Sequence, residues 1–209
     1  MTGFGFDPKG AVAHLRKADP ALAKVIGAVG PFGMQLKVSR SLFGALAEAI
    51  VYQQLSNKAA ATIYGRIEAL YPRARQGFTP AHIQRTADDK LRGVGLSRAK
   101  VLALRDLAER VATRRLPTLD EAHLLDDAAL IERLVEVRGI GRWSAEMFLM
   151  FRLGRPDVLP VDDYSLRKAY ATAFAKRKLP SPVALAKAGE KWRHYRTVAS
   201  WYLWQTLTK

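Results

Sequence analysis

Two glycines separated by one residue, Gly139 and Gly141, interrupt a helical pattern and constrain the fold more than any other feature of the chain. Apolar residues recur at helical spacing up to Val137, and they recur again from Trp143 to Phe151. This pattern predicts a helix, a tight turn and a second helix. The glycines leave backbone N–H groups uncovered at the start of the second helix, where the helix dipole favours an anion such as a DNA phosphate. A C-cap glycine followed by an ordinary helical linker is the alternative, and the turn by itself does not separate the two.

The rest of the chain also has a helical pattern interrupted by breaker residues, and strand patterns are scarce. Glycine and proline breakers separate apolar segments of helical period. The sequence therefore predicts an all-α fold, with helices at about 9–17, 19–27, 41–52, 57–71, 80–85, 87–92, 97–113, 120–124, 127–136, 142–153, 163–176, 182–188 and 190–207.

The chain is strongly basic, with 34 lysines and arginines against 19 aspartates and glutamates, a net charge of +15 and a pI near 10.3. These charges are spread over many segments, so the basic surface belongs to the folded body and not to a tail. A polyanion is the expected partner. Charge alone is also compatible with RNA or with a protein that is simply basic.

Composition excludes several classes of protein. The 209 residues are 49% hydrophobic, which is enough for a substantial core in one domain or two small lobes. The absence of cysteine excludes disulfides, thiol nucleophiles and cysteine-ligated zinc or iron–sulfur clusters. No apolar segment has the length of a signal-peptide core or a membrane span. We therefore expect a soluble intracellular protein, which in a prokaryote would be cytoplasmic and associated with the nucleoid.

A pair of carboxylates, Asp162 and Asp163, lies where a loop ends and a helix begins. One aspartate suffices to cap that helix, and its neighbour is then surplus to capping. Near a helix N-terminus a carboxylate should stay ionised at neutral pH, because the dipole favours the charged form. A fixed anion of this kind can stabilise a developing sugar cation. Two exposed turn residues are the alternative.

Three features together resemble the helix-hairpin-helix (HhH-GPD) DNA glycosylases, specifically the 3-methyladenine DNA glycosylase II (AlkA) branch. They are the hairpin sequence at 139–145, the twenty residues from Trp143 to Asp163, and the segment 50–56 with Ala59 and Ala60. The similarity runs from about residue 43 to residue 204 and so covers most of the chain.

The resemblance implies two helical lobes with the active-site cleft between them. The central lobe would be residues 45–155, with the helix-hairpin-helix at about 127–153. Residues 1–44 and 156–209 would form the other lobe and carry the catalytic aspartate. The AlkA enzymes also have an N-terminal α/β domain, for which this chain has no room before Phe43, so we expect a compact form.

The resemblance also implies a monofunctional glycosylase of base excision repair. Such an enzyme rotates an alkylated purine, of the 3-methyladenine or 7-methylguanine class, out of double-stranded DNA and removes it by hydrolysis. Asp163 takes the catalytic position that stabilises the oxocarbenium-like sugar, and Asp162 is its helix-capping neighbour. Strand-cleaving relatives have a lysine where this chain has Trp143, and tryptophan cannot form their Schiff base, so no AP lyase activity is expected.

Aromatic side chains are expected to hold the cationic base, each contributing on the order of 0.5 to 2 kcal/mol. The candidates that the resemblance implies are Trp143, Tyr164 and Trp204, whereas we expect Trp201 to pack in the core. Met147 lies one turn after Trp143, where relatives often have an aromatic residue, and a thioether there indicates a roomier pocket.

The resemblance assigns the remaining site residues to DNA and to a structural ion. The Gly139 and Gly141 amides should hold phosphates, and Arg138 and Arg142 are either phosphate contacts or solvated helix-end arginines. The gap left by the flipped base should be filled from the segment Gln53, Gln54 and Leu55, with Gln54 first and Leu55 second. No cofactor is expected for catalysis, while Na⁺ or K⁺ could bind the backbone carbonyls of Val135, Val137 and Ile140.

Two other classes of function remain open at this point. A non-catalytic DNA-binding protein would use the hairpin only to grip phosphates, so loss of the Asp163 charge would change nothing. A glycosylase of the same fold for a neutral base, hypoxanthine or uracil, would need hydrogen-bond donors aimed at the base. In each case we expect a monomer with DNA as its partner.

Overall fold

The computed structural model describes residues 3–75 and 77–207, and in these ranges the chain forms helices and no β-strand. The all-α prediction is therefore confirmed. None of the described helices is both long and apolar enough to cross a membrane. In chain order the α-helices are α1 (Pro8–Ala18), α2 (Pro20–Val29), α3 (Leu42–Tyr52), α4 (Asn57–Ala69), α5 (Pro80–Arg85), α6 (Asp88–Gly93), α7 (Arg98–Ala112), α8 (Leu119–Leu124), α9 (Asp127–Val135), α10 (Arg142–Phe151), α11 (Tyr164–Ala173), α12 (Pro182–Gly189) and α13 (Arg196–Gln205).

Short polar side chains determine where most helices begin. At the start of α7, the Ser97 hydroxyl accepts the N–H of Lys100 at 3.3 Å. Helix α8 begins with a reciprocal pair, in which Thr118 Oγ1 accepts the Glu121 N–H and Glu121 Oε2 accepts the Thr118 N–H. Each bond satisfies an N–H that has no partner inside the helix, which is why the polar residue precedes the apolar pattern in the sequence.

The chain divides into two compact units, one containing Met1–Lys37 with Leu149–Lys209 and the other containing Val38–Phe148. Both boundaries fall seven residues before those expected from the sequence, at 37 against 44 and at 148 against 155. Helix α3 lies wholly in the second unit. The Lys37 N–H donates to the Phe151 carbonyl at 2.8 Å, which ties the end of α10 to the first unit.

The first unit is built around the buried rings of Trp192 and Tyr202, against which α1, α2, α11 and α13 pack. The Asp19 carboxylate is buried in this core, where it caps α2 and accepts the indole N–H of Trp192 at 2.8 Å. A buried charge needs such partners, because desolvation would otherwise cost several kcal/mol.

The second unit is built around α7, which packs against α3, α5 and α6. Leu104 and Leu107 of α7 and Ile50 of α3 are completely buried. The guanidinium of Arg105 donates to the carbonyls of Gln84 and Thr86 (2.7 and 2.6 Å) and so satisfies oxygens that the end of α5 leaves without helical partners. These bonds hold the end of α5 against α7.

The prediction of one helix over 190–207 is wrong, because the structure has a 3-10 turn at Glu190–Trp192 followed by α13. The Arg196 N–H donates to Asp157 Oδ1, and the Thr197 N–H donates to the Pro156 carbonyl. These long-range bonds take the place of helical ones. The break follows from a segment about forty residues earlier in the chain, which helical period cannot reveal.

Candidate functional site

Asp163 is the N-cap of α11 and has an extended backbone, with φ −66° and ψ 116°. Its Oδ1 accepts the N–H of Leu166 at 2.5 Å and the indole N–H of Trp204 at 3.1 Å. The carboxylate therefore lies at the positive end of a helix dipole, and donors from two elements fix its orientation. Such an anion can stabilise positive charge that develops beside it.

The expectation that Asp162 caps this helix is wrong. Asp162 is exposed and precedes the N-cap by one position, whereas the Asp163 side chain bonds the third residue of α11. The third helical N–H is the one that an N-cap oxygen reaches. A single carboxylate therefore caps the helix and remains the candidate for chemistry.

Trp204 contributes its N–H edge to this site. The half-buried ring stacks on Phe151, with centroids 6.2 Å apart and planes at 26°, and this contact holds the indole where it donates to Asp163. Its role as a face for the base stays a prediction. Trp201 packs against the core with its ring edge-on to Phe32 at 4.9 Å, as expected.

The other aromatic candidates are accessible. Tyr164, the first residue of α11, is 63% exposed, and Trp143, the second residue of α10, is 47% exposed. Met147 follows on α10 and is half-buried. Rings exposed to this extent can be reached by a ligand from solvent.

The helix-hairpin-helix occupies the predicted place, with α9 and α10 joined by residues 136–141. Gly139 has φ +82°, the left-handed region that favours glycine, and the Ile140 N–H closes the turn onto the Val137 carbonyl at 2.9 Å. Within the described residues, the N–H groups of Gly139 and Gly141 donate no hydrogen bond. They remain available to an anion at the start of α10.

The two hairpin arginines have different surroundings. The Arg138 side chain is exposed, while its backbone N–H donates to Asp106 Oδ2 at 2.7 Å and anchors the turn on α7. The Arg142 guanidinium is largely exposed but pairs with the buried carboxylate of Glu146 at 3.0 Å. The sequence does not indicate Asp106 or Glu146 as a partner of the hairpin, since nothing local marks either carboxylate.

The turn between α3 and α4 lies against the same hairpin. The side-chain amide of half-buried Gln53 donates to the Gly139 carbonyl at 2.8 Å. Gln54 is exposed in the left-handed region, with φ 57°, and Leu55 is 39% exposed. Gln54 and Leu55 therefore project from the turn, whereas Gln53 supports it.

The carbonyls expected to hold a monovalent cation belong to the end of α9, at Val135, and to the turn that follows it, at Val137 and Ile140. Val135 is the last residue of that helix, where carbonyls lack helical partners and the dipole is negative. The Val137 carbonyl accepts the Ile140 N–H, and a carbonyl oxygen has a second lone pair. Backbone oxygens of this kind suit Na⁺ or K⁺. Among the described residues, no group of His, Cys, Asp or Glu side chains could hold a metal ion.

Comparison with known proteins connects this geometry to a family. Residues 47–194, well over half of the chain, match the HhH-GPD superfamily of base excision DNA repair proteins. The chain belongs to this superfamily. The match includes the hairpin, the turn at 53–55 and Asp163, whereas Trp204 lies beyond its end.

Relatives of this HhH-GPD protein match it over nearly its whole length. DNA-3-methyladenine glycosylase 1 of Schizosaccharomyces pombe is 34% identical, over 94% of this chain and 86% of the relative. The structure of that organism's 3-methyladenine DNA glycosylase Mag1 with abasic DNA has a TM-score of 0.83 at 34% identity, covering 96% of this chain and 97% of that one. A DNA-3-methyladenine glycosidase from Bacillus halodurans has a TM-score of 0.85 at 35% identity, covering 94% and 88%.

Proposed function

We propose that this HhH-GPD protein is a monofunctional DNA glycosylase that removes alkylated purines of the 3-methyladenine and 7-methylguanine class from double-stranded DNA. The observation that carries the proposal is the Asp163 carboxylate, held at the N-terminus of α11 by the Leu166 and Trp204 N–H groups. The relatives are named for 3-methyladenine, which supports the same class of substrate.

The chemistry needs little more than a fixed anion. A purine methylated at N3 or N7 is cationic, so breaking its glycosidic bond sends the electron pair to the ring and releases a neutral base. Positive charge then builds on the sugar, where the Asp163 carboxylate stabilises it. Water adds to C1′ and loses a proton, which completes the hydrolysis. Holding the carboxylate in place before the reaction avoids reorganisation during it.

Recognition of the base follows from its charge. The exposed rings of Trp143 and Tyr164 present π faces, and a cationic purine gains on the order of 0.5 to 2 kcal/mol from each. Met147, half-buried on α10, offers a polarizable and adaptable surface. Trp143 has no amine with which to form a Schiff base, so the proposal includes base release without strand cleavage.

The hairpin and the turn between α3 and α4 are proposed to hold the DNA. The Gly139 and Gly141 N–H groups and the side chains of Arg138 and Arg142 bind phosphates. Gln54 and Leu55 fill the gap left by the flipped nucleotide. A Na⁺ or K⁺ ion on the Val135, Val137 and Ile140 carbonyls would stiffen the hairpin. The protein acts as a monomer on DNA in the compartment that contains the chromosome.

Base release from DNA treated with a methylating agent tests the proposal. Duplex DNA is incubated with wild type, Asp163→Asn or Asp162→Asn, the freed bases are identified by chromatography, and the strands are checked for breaks. We expect 3-methyladenine and 7-methylguanine from wild type and Asp162→Asn, and intact strands. Release of hypoxanthine or uracil instead, from DNA that contains them, would establish the neutral-base alternative.

A further inference from the structure

Lys100, on α7, reaches across to the end of α3. Its ammonium donates to the Val51 carbonyl at 2.7 Å and to the Gln53 carbonyl at 2.9 Å. These oxygens belong to the last turn and the C-cap of α3, where carbonyls lack helical partners and carry partial negative charge. One side chain thus satisfies two backbone acceptors on either side of Tyr52.

These two bonds help to fix the course of the chain after α3, together with the backbone bonds from the Gln53 N–H to the Ala49 carbonyl and from the Leu55 N–H to the Tyr52 carbonyl. Gln53 leaves the helix with φ −54° and ψ 133°, and Gln54 then adopts the left-handed region at φ 57°. A glutamine in that region costs roughly 1 to 2 kcal/mol relative to the right-handed one, so surrounding contacts must hold it there. The Lys100 ammonium is one of the contacts that hold the backbone immediately before it.

The same turn is held from a second side by the hairpin. Because the Gln53 side chain donates to the Gly139 carbonyl at 2.8 Å, Gln53 is bonded through its backbone to α7 and through its side chain to the hairpin. The result is a bracket of Lys100, Gln53 and Gly139. The exposed side chains of Gln54 and Leu55 project from this bracket.

Lys100 occupies this position at a cost. It is half-buried, and within the described residues no carboxylate forms an ion pair with it. Burial lowers the pKa of Lys100, which reflects the penalty for removing the ammonium from water. The two carbonyl dipoles offset this penalty. Because both carbonyls belong to the turn, the ammonium stabilises the backbone of the turn.

We infer that Lys100 is a positioning residue for base flipping, which sets the backbone of residues 53–55 so that Gln54 and Leu55 enter the gap left by the extruded nucleotide. This inference rests on the proposed function. Lys100 acts through the turn and touches no reacting atom.

A fluorescence measurement of gap filling tests the inference separately from catalysis. The probe is a duplex with a tetrahydrofuran abasic site and 2-aminopurine opposite it, because insertion of a side chain unstacks the 2-aminopurine and raises its fluorescence. Wild type should raise the fluorescence. Lys100→Met keeps the length of the side chain and removes the donors, so we expect it to lose most of the rise, while Lys90→Met, at an exposed lysine of α6, keeps it.

Three further measurements distinguish positioning from a general effect. Affinity for undamaged duplex should stay within about twofold in Lys100→Met, because the hairpin amides are intact, while single-turnover base release should slow about tenfold or more. In a protein that already has Gln54→Ala and Leu55→Ala, adding Lys100→Met should change the rate of base release little, since the side chains that Lys100 positions are already absent.

A full fluorescence rise with Lys100→Met would overturn the inference. If that variant does not fold, Lys100→Leu, which also removes the donors, takes its place, and a full rise with it would equally overturn the inference. A wild type that raises the fluorescence but releases no base would refute the proposed function and leave the positioning role intact.

Discussion

At the scale of single residues, Asp163 and Trp204 are directly bonded within the site. The indole N–H is directed at the carboxylate oxygen that also caps α11, and the ring is held by its stack on Phe151. Hydrogen bonds to a charged acceptor contribute more than neutral ones, about 1.5 to 3 kcal/mol. Loss of this donor should therefore weaken the orientation of the carboxylate without unfolding the protein.

We predict that Trp204→Phe lowers kcat for base release about tenfold and leaves KM within twofold, because phenylalanine keeps the stack on Phe151 and lacks the N–H. Steady-state kinetics on methylated duplex DNA would measure this. Trp201→Phe is the control, since Trp201 packs in the core. Equal effects of the two substitutions would mean that the indole N–H has no separate role.

A second residue-scale prediction concerns stability and pH. Burial raises the pKa of Asp19, but hydrogen bonds from Lys191, Trp192 and the Leu22 N–H outweigh it, so the net pKa is below the usual value. A carboxylate with a lowered pKa contributes stability above its unfolded pKa of about 4 and loses it as the pH falls through the folded value.

We therefore expect Asp19→Asn to destabilise the protein by about 2 to 3 kcal/mol at pH 7. The difference from wild type should shrink as the pH falls below about 4. Urea unfolding followed by circular dichroism at pH 7 and pH 3 measures both quantities, with the exposed Asp162→Asn as control. A difference that does not change with pH would refute the role of the Asp19 charge.

At the scale of elements, the sequence predicts the hairpin well because its signals are local. Glycine spacing and helical period place α9 and α10 correctly. The partners that hold the hairpin are not local: Asp106 binds the Arg138 N–H from α7, and Gln53 binds Gly139 from 86 residues away. A single sequence has no signal for such pairs, and so the support of the hairpin could not be predicted.

The hairpin arginines should contribute to DNA affinity through phosphates. Arg138→Ala and Arg142→Ala should each weaken binding to any duplex and reduce the slope of log K against log salt by about 0.9. Fluorescence anisotropy titrations at salt concentrations between about 50 and 200 mM would measure this slope. Arg142→Ala should also lower the melting temperature, because it removes the ion pair to buried Glu146. If either variant has the same salt slope as wild type, the arginine that it replaces does not contact a phosphate.

Helix α11 ends earlier than its sequence predicts, at Ala173 and not at residue 176. Ala175 lies in the left-handed region at φ 49°, and the Lys176 N–H returns to the Ala171 carbonyl at 2.8 Å. This is a helix end at which glycine is usual, formed here by an alanine. Without the glycine, the sequence contains no signal for the stop.

Ala175→Gly should stabilise the protein by about 0.5 to 1 kcal/mol, because it removes the strain of alanine at positive φ and this exceeds the added freedom of the unfolded chain. That corresponds to a rise in melting temperature of about 1 to 4 °C by calorimetry. Ala171→Gly, inside the same helix, is the matched control and should destabilise by about 1 kcal/mol. A decrease with Ala175→Gly would contradict the strain argument.

At the scale of the whole molecule, the helical class and most helix positions follow from the sequence, because caps and breakers are local. The interruption before α13 and the boundaries of the two units depend on long-range bonds, such as Thr197 to Pro156 and Lys37 to Phe151. Asp163 could be found because its spacing from Trp143 resembles a family. Its second role, as the N-cap of α11, could not be predicted, since the sequence does not distinguish which of two adjacent aspartates caps the helix.

The proposed activity depends on the negative charge of Asp163. Single-turnover excision from a duplex with one 7-methylguanine, with enzyme in excess, measures that dependence. Asparagine caps a helix as well as aspartate does, so Asp163→Asn should fold and bind as wild type does. We predict a rate at least about 10² to 10³ times slower for Asp163→Asn and an unchanged rate for Asp162→Asn. Excision by Asp163→Asn at the wild-type rate would contradict it.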